Sequence, residues 1–314
     1  MKAVIIKGYG TPEVLEIVDI PQPDLQPNDV LLRVRAAAIN PKDTFIRKGR
    51  FKRFTGNRFP MQMGFDFAGE VIQTGDQVKD VKEGKHIFGM LDGWYGGTCA
   101  EYVAVKTSQI EIKPESLTFE QAAALPMVSL TALQALRDEA GIKAGKNICI
   151  NGASGGVGSM AVQISNIHQG TVTAISSLSN HEFLHDLGAH TCIDYHDENI
   201  SQTKNEFDIF FDVFGNQPFQ KIKHILSING VWVTTVLRPH VFISLAATKF
   251  FSRRKAKLVT VKSNRNDLTQ IREWVEARKL QPIVHEVFPL ERIREAHTQQ
   301  ETKHTRGKIV IRIN

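Results

Sequence analysis

Eight residues, Asn151-Gly152-Ala153-Ser154-Gly155-Gly156-Val157-Gly158, hold four glycines. They follow the apolar run Ile148-Cys149-Ile150 and precede Met160-Ala161-Val162-Gln163-Ile164, which has helical patterning. Residues without a Cβ allow a tight turn and let backbone approach a ligand closely. A helix starting at such a turn offers unpaired N–H groups and the positive end of its dipole to an anion. Strand, glycine turn and helix in that order form a dinucleotide-binding fingerprint, here spaced GxxGxxG rather than GxGxxG. Gly152, Ser154, Gly155, Gly156, Val157 and Gly158 are therefore expected to bind the dinucleotide.

The next predicted strand bears on which dinucleotide is held. NAD sites place Asp or Glu there, about 20 residues on, against the ribose 2′-hydroxyl. Here residues 171–180 read TVTAISSLSN, with no acid before Glu182. The hydroxyls of Ser176 and Ser177 can donate to a 2′-phosphate that a carboxylate would repel, which favours NADPH. Tyr195, just after the third predicted strand, can lie against the same phosphate or the adenine.

Other chemistries are poorly served. Cys99, Cys149 and Cys192 are far apart and in no CxxC spacing, so neither a disulfide framework nor a cysteine zinc site is expected. That usage fits a reducing cytoplasm. Lys7 comes too early for a secretory signal, and the apolar stretch 122–136 is interrupted by Ser129, Thr131 and Gln134, so no membrane span is expected. The net charge of +6 comes from 39 Lys and Arg against 33 Asp and Glu. Residues 47–58 carry six positive charges and no acid, and residues 249–257 carry five more. Most such runs are solvated faces, and the alternative is contact with phosphate or nucleic acid.

The elements that must position these residues fall into two textures. A length of 314 residues is about two domains' worth. Strands predicted at 30–36, 70–72 and 102–105, with dense glycine punctuation, suggest a compact barrel-like unit. Thr118 with Gln121 three residues on reads as a helix-capping box. Strands then predicted at 147–151, 172–175, 191–194, 208–213, 231–236 and 257–261 alternate with helical stretches at 156–168, 181–187 and 219–228. That order argues a doubly wound parallel sheet. Strands return at 283–287 and 309–313, as if the chain comes back to complete its first unit.

Taken together, the motifs MKAV at the start, AAAINPKD (36–43), GFDFAGEV (64–71), GTCAEYV (97–103), AAALP (122–126), SLTA (129–132), the glycine turn and GKIV (307–310) resemble the medium-chain dehydrogenase/reductase superfamily. The likeness is to its zinc-independent quinone oxidoreductase branch. It implies an α/β protein with a GroES-like β-barrel catalytic domain (1–120 and 263–314) and a Rossmann doubly wound parallel-sheet domain for NADPH (121–262). Zinc-dependent members carry a cysteine where this chain has Asn40, a histidine where it has Phe65, and a third ligand near Met127-Val128. Catalytic zinc takes three protein ligands, so no metal is implied here. The implied reaction is hydride transfer from NADPH to a small apolar electrophile, a quinone or an α,β-unsaturated carbonyl.

The resemblance also assigns places. Asn40 falls by the nicotinamide ribose, Thr131 by the nicotinamide, and Ser176, Ser177 and Tyr195 at the 2′-phosphate. Val213 and Phe214 fall beside the adenine or its ribose, Val236 by the carboxamide, and Lys308 in the cofactor cleft. Related reductases often carry tyrosines where this chain has Phe45 and Phe51, and a phenyl ring donates no proton. Water or Tyr95 is left as the acid, and no side chain is assigned as catalyst. Phe45, Phe51, Phe54, Trp94 and Tyr95 suggest an apolar substrate slot. A homodimer is implied. The alternative function, suggested by the basic runs, is nucleic-acid binding under NADPH control.

Overall fold

The computed structural model describes residues 1–204 and 206–314, with the side chains of all of these but 250 and 251. The chain opens with β1 (Lys2–Ile6), β2 (Leu15–Asp19), β3 (Asp29–Ile39), α1 (Pro41–Arg47), α2 (Lys52–Thr55), β4 (Met61–Gln62), β5 (Asp66–Thr74), β6 (His86–Met90), β7 (Tyr102–Lys106), β8 (Ile110–Ile112) and α3 (Phe119–Ala123). It continues through α4 (Pro126–Gln134), β9 (Asn147–Asn151), α5 (Gly156–Ile167), β10 (Thr171–Ser176), α6 (His181–Asp186), β11 (Thr191–Asp194), β12 (Phe207–Asp212), α7 (Phe219–Ile222), β13 (Leu226–Thr234), α8 (Pro239–Phe251) and β14 (Lys255–Leu258). It closes with α9 (Arg265–Glu276), β15 (Val284–Pro289), α10 (Ile293–Thr302) and β16 (Lys308–Arg312). Among the described residues no helix is long and apolar enough to cross a membrane.

Residues 1–127 and 262–314 form one compact unit and residues 128–261 the other. In the first unit, β15-β16-β3-β5-β6-β8 make a sheet, with β7 also paired to β3, and β2-β1-β4 make a second. The long β3 is buried on both faces through Ala36, Ala37 and Ala38, where β16 and β5 pair with it. Val4, Leu32, Phe67, Ile87 and Ile309 fill one core with residues from both chain ends. Each fully buried side chain of that size contributes roughly 1.5–3 kcal/mol, so the returning C-terminal segment is integral to this unit. The capping box at Thr118 forms: its Oγ1 accepts from Gln121 N at 3.2 Å, and Gln121 Oε1 accepts from Thr118 N at 3.0 Å. The helix it starts packs on β3 and β5 of the first unit.

The basic run 47–58 is not a uniform solvated face. Arg47 is fully buried, and its guanidinium donates to Gly10 O and to Glu301 of α10. Lys48 Nζ meets the other oxygen of Glu301 at 2.6 Å. Next to them, burial and the Arg47 charge pull the His297 imidazole down to about 3, so it is neutral at pH 7. Arg47 is therefore held inside the protein, and Lys48, though exposed, is paired with Glu301. Arg47→Ala removes one of the two cations on Glu301 and opens a void. It should cost about 3 kcal/mol of stability, read as a lower urea midpoint. Lys52→Ala and Arg53→Ala, both exposed, should stay within about 0.5 kcal/mol. Equal effects from all three would make the run an ordinary surface after all.

In the second unit the parallel sheet runs β11-β10-β9-β12-β13-β14. Counted within the unit this is strand order 3-2-1-4-5-6, and the order reverses between β9 and β12, where such sheets bind ligands. Its core includes Cys149, Ile175, Phe210 and Trp232, whose indole N–H donates to Gln217 O at 3.0 Å. The helix expected at 219–228 is shorter. It ends at Ile222, a 3-10 turn follows to Ile225, and β13 begins at Leu226, five residues ahead of the sequence expectation. The reason is pairing: Leu226 sits opposite Phe207 before a register shift lets Val231 meet Ile209.

Candidate active site

β9 ends at Asn151 and the chain turns at once. Gly152 takes φ +82°, a conformation that side-chain-bearing residues rarely adopt. Its N–H and that of Ala153 donate to Ile175 O at 3.2 and 3.1 Å, tying the turn to β10. Gly158 lies in the first turn of α5, where a Cβ would stand 2.2 Å from Gly152 O. Gly155 differs. A Cβ there would meet only Gly152 O, at an ordinary 3.6 Å. The chain's own packing does not demand glycine at this position, so the space is open to a ligand. Gly155 is also the N-cap of α5 and supplies no side-chain cap. The first N–H groups of a twelve-residue helix are left for an anion. Ser154, Gly155, Gly156 and Val157 are all partly exposed there. These residues fit a pyrophosphate.

Neighbouring strand ends converge on the turn. Phe214 backs onto Gly152, and its Cβ lies 3.2 Å from where a Gly152 Cβ would be. Val213 N donates to Asn151 O at 3.1 Å, and Val236 packs under Gly215. Gly152, Val213, Phe214 and Val236 are thus brought together at the C-terminal ends of β9, β12 and β13. Sequence reasoning passed over the pin that holds them, Asp212. Its buried carboxylate accepts from Asn151 Nδ2 at 2.7 Å, Gly215 N at 2.8 Å and Gln217 N at 2.9 Å. Burial pushes its carboxyl above the usual range, and those three donors pull it back. A carboxylate at a strand end three residues before a glycine is the signal that could have found it.

Ser176, Ser177 and Tyr195 also meet. Ser176 ends β10 and is buried, with its hydroxyl donating to Ser177 O at 3.1 Å. Ser177 Oγ is shared with Ser179 Oγ at 3.2 Å and accepts from Asn180 Nδ2 at 2.9 Å. Tyr195 is 51% exposed, and its N–H reaches Ser176 O at 3.3 Å. Asp194 was missed. Parallel register sets it opposite Ser176, so a carboxylate does stand at these strand ends. Its oxygens accept from Leu178 N at 3.0 Å and from His196 N and ring at 2.9 Å.

The first unit holds the other predicted groups. Lys308 is buried and spends its three protons on Ile39 O at 2.8 Å, Asn40 Oδ1 and Asp66 Oδ2 at 3.2 Å. Asn40 Nδ2 donates to Asp66 Oδ2 at 2.9 Å and to Ala38 O at 3.3 Å, so the amide orientation is set from both ends. Asp66 Oδ1 accepts from Met127 N at 2.9 Å. Asp43 accepts from Asn40 N at 2.9 Å and Gly64 N at 3.0 Å, and burial pushes its carboxyl up to about 6. This network does not suit zinc. An ammonium already neutralises Asp66, Phe65 offers no lone pair, and among the described residues no group of three His, Cys, Asp or Glu could hold a metal. Thr131 lies buried on α4, in the second unit.

Four aromatic residues of the expected slot, Phe45, Phe51, Phe54 and Trp94, cluster. Phe51 contacts Phe45 at 6.0 Å and Trp94 at 4.9 Å between ring centroids, and Phe54 stacks on Trp94 at 4.5 Å. Tyr95 is 52% exposed and its hydroxyl donates to Thr55 O at 3.3 Å. Sequence reading passed over Lys42, one helical turn from Phe45. Its ammonium lies 3.9 Å over the Phe65 ring and 5.8 Å from that of Trp94, and donates to Gly93 O at 2.6 Å. Burial lowers its affinity for the proton, against the carboxylates of Asp43, Asp92 and Asp66.

Comparison with known proteins gives the chain's relatives. The Alcohol dehydrogenase GroES-like domain family matches residues 26–115, and the Zinc-binding dehydrogenase family matches residues 187–311. The chain is 34% identical to the 2-methylene-furan-3-one reductase of Solanum lycopersicum, over 99% of this chain and 79% of that one. It is 34% identical, with the same coverage, to the chloroplastic NADPH-dependent alkenal/one oxidoreductase of Arabidopsis thaliana. The quinone oxidoreductase from Coxiella burnetii superposes with a TM-score of 0.93 at 34% identity, over 100% of this chain and 99% of that one.

Proposed function

The chain belongs to the medium-chain dehydrogenase/reductase superfamily, and within it we propose a metal-free, NADPH-dependent reductase of quinones and α,β-unsaturated carbonyls. It is an oxidoreductase built from a GroES-like domain and a Rossmann-like domain. The observation that carries the reading is the turn 152–158, open at Gly155 and seated where the strand order reverses.

A bound dihydronicotinamide supplies hydride. The chain's part is to hold and orient. The Ser154–Val157 backbone and the α5 dipole would bind the pyrophosphate, while Val213, Phe214 and Val236 supply apolar walls to the adenosine and nicotinamide halves. Ser177 and Tyr195 would face the 2′-phosphate. Asp194 stays charged there, its pKa held down by its bonds, but both oxygens are turned to Leu178 N and His196 rather than left open to a ribose hydroxyl. Thr131 is assigned to the nicotinamide. Asn40 is assigned to the nicotinamide ribose, since Oδ1 keeps a lone pair after accepting from Lys308. Lys308 then acts through Asn40 rather than on the cofactor, its donors being spent.

Phe45, Phe51, Trp94 and Tyr95 would take the apolar substrate. A homodimer belongs to the same reading, supported by the outer sheet edge at β14 and by exposed Phe242 and Ile243 on α8. So does a reducing, cytoplasmic setting, supported by three free cysteines.

The test is oxidation of NADPH and of NADH, followed by absorbance, with an enone, an alkenal, a quinone and a saturated aldehyde, each with and without a chelator. The expected result is chelator-indifferent reduction of the first three, with the carbon–carbon double bond reduced in the first two and NADPH preferred. Activity confined to the saturated aldehyde, or lost to the chelator, would overturn the proposal.

A further inference from the structure

We propose that Lys42 is a catalytic residue, whose ammonium N–H holds the substrate's carbonyl oxygen as that oxygen becomes an oxyanion. The inference rests on the reductase reading and names the electrophile that reading lacks.

The first unit carries two lysines well removed from water near Asn40, and they are bonded differently. Lys308 has no donor to spare, as an ammonium has three. Lys42 has one conventional acceptor, Gly93 O, and otherwise faces the ring of Phe65. It is half-buried among Phe65 and Trp94. Lys42 and Phe45 stand at i and i+3 on α1, so they share one helix face. Phe45 is a member of the aromatic cluster, so a planar electrophile lying on those rings has Lys42 as its neighbouring cation.

One other polar group contacts the cluster, a second follows Trp94 in sequence, and both serve less well. Arg50 stacks 5.0 Å over Phe45 but is exposed, so water and salt screen its charge. Tyr95 is likewise exposed and spends its only proton on Thr55 O. A charge among apolar rings acts with less screening, so the same hydrogen bond is worth more at Lys42.

The step balances without proton loss from the lysine. Hydride from the reduced nicotinamide forms a C–H bond at the β-carbon. The C=C π pair becomes the new bond between the α-carbon and the carbonyl carbon, and the carbonyl π pair moves to oxygen. That oxygen gains a full negative charge, and the Lys42 N–H donates to it. Water then gives a proton to the α-carbon as the enolate pair returns, and buffer takes up the hydroxide.

Removing one preorganised oxyanion donor costs on the order of 100-fold in kcat. Lys42→Met should therefore lower kcat with an enone by about 100-fold while KM, NADPH affinity and melting temperature barely move. Lys42→Arg should retain part of the rate. Lys42→Ala should be rescued by propylammonium and not by tetramethylammonium, which has no N–H. The Gly93 bond also anchors the loop that bears Trp94. If that is its only role, Lys42→Met raises KM, leaves kcat, and neither ion rescues the alanine variant, which overturns the proposal. Absence of turnover by the wild type would sink the reductase reading itself, so the two failures are distinguishable.

Discussion

Gly158→Ala should reduce dinucleotide affinity by on the order of 1000-fold, whereas Gly155→Ala should weaken it by about 30-fold and leave the fold intact. The first follows from contact distance. Carbon atoms pack best at roughly 3.5–4.0 Å. A Cβ on residue 158 would lie 2.2 Å from Gly152 O, 2.6 Å from Ala153 Cα and 2.8 Å from Ala153 C. All three are backbone, so no side chain can rotate away. Either α5 withdraws or the turn leaves β10, breaking the bonds from Gly152 N and Ala153 N to Ile175 O. Both displace the N–H groups meant for the pyrophosphate. A thousandfold loss is about 4 kcal/mol, which loss of those charge-assisted bonds can supply. At Gly155 a methyl meets no backbone closer than 3.6 Å, so only a ligand can object to it. Calorimetric titration with NADPH, alongside thermal unfolding, separates the cases. Unchanged affinity in Gly155→Ala would mean that the open cradle is not where the dinucleotide binds.

That contrast shows why the turn was legible in sequence and its surroundings less so. Strand, turn and helix are contiguous, and their requirements are local. Asp194 stands beside Ser176 only through parallel register, 18 residues on, so a search of the window 171–180 could not see it. Arg47 looked like one more surface charge. Its burial depends on Glu301, 254 positions away. The start of β13 was set five residues late, since Leu226–Gly230 join the strand only through pairing with Phe207 and a register shift.

Phe45, Phe51, Phe54, Trp94 and Tyr95 were grouped from the sequence, and all but Tyr95 share ring contacts. Lys42 was not among them. It is a lysine in a run of polar residues until Phe65, Gly93 and Trp94 arrive from other elements to surround it. The network at Asn40 makes the same point in reverse. Asn40 and Lys308 were both marked for the cofactor, but their mutual bond appears only when β16 pairs with β3 and places Ile309 opposite Ile39. What the geometry shows is that Lys308 orients the Asn40 amide.

The coenzyme preference gives the second large effect. Ser177→Asp should move the NADPH-to-NADH ratio of kcat/KM by about 1000-fold toward NADH. Ser177 holds the N-cap position of the short 3-10 turn 178–180 without a side-chain capping bond, and aspartate is well tolerated at such positions. Its carboxylate can also accept the Asn180 Nδ2 bond that the serine hydroxyl now takes. The substitution should therefore leave stability alone. Against a 2′-phosphate at about 5 Å, a new carboxylate in a half-exposed site costs roughly 3 kcal/mol after screening. Against a 2′-hydroxyl it gains a charge-assisted hydrogen bond, worth about 1 kcal/mol net. Together these give about 4 kcal/mol, or three powers of ten. The existing carboxylate of Asp194 makes the experiment sharper. If that acid already repelled the phosphate, the wild type would prefer NADH and Ser177→Asp would change little. If its bonds to Leu178 N and His196 keep its oxygens turned from the ribose, the wild type prefers NADPH and the substitution reverses the preference. Initial rates with both coenzymes for the two proteins decide between them.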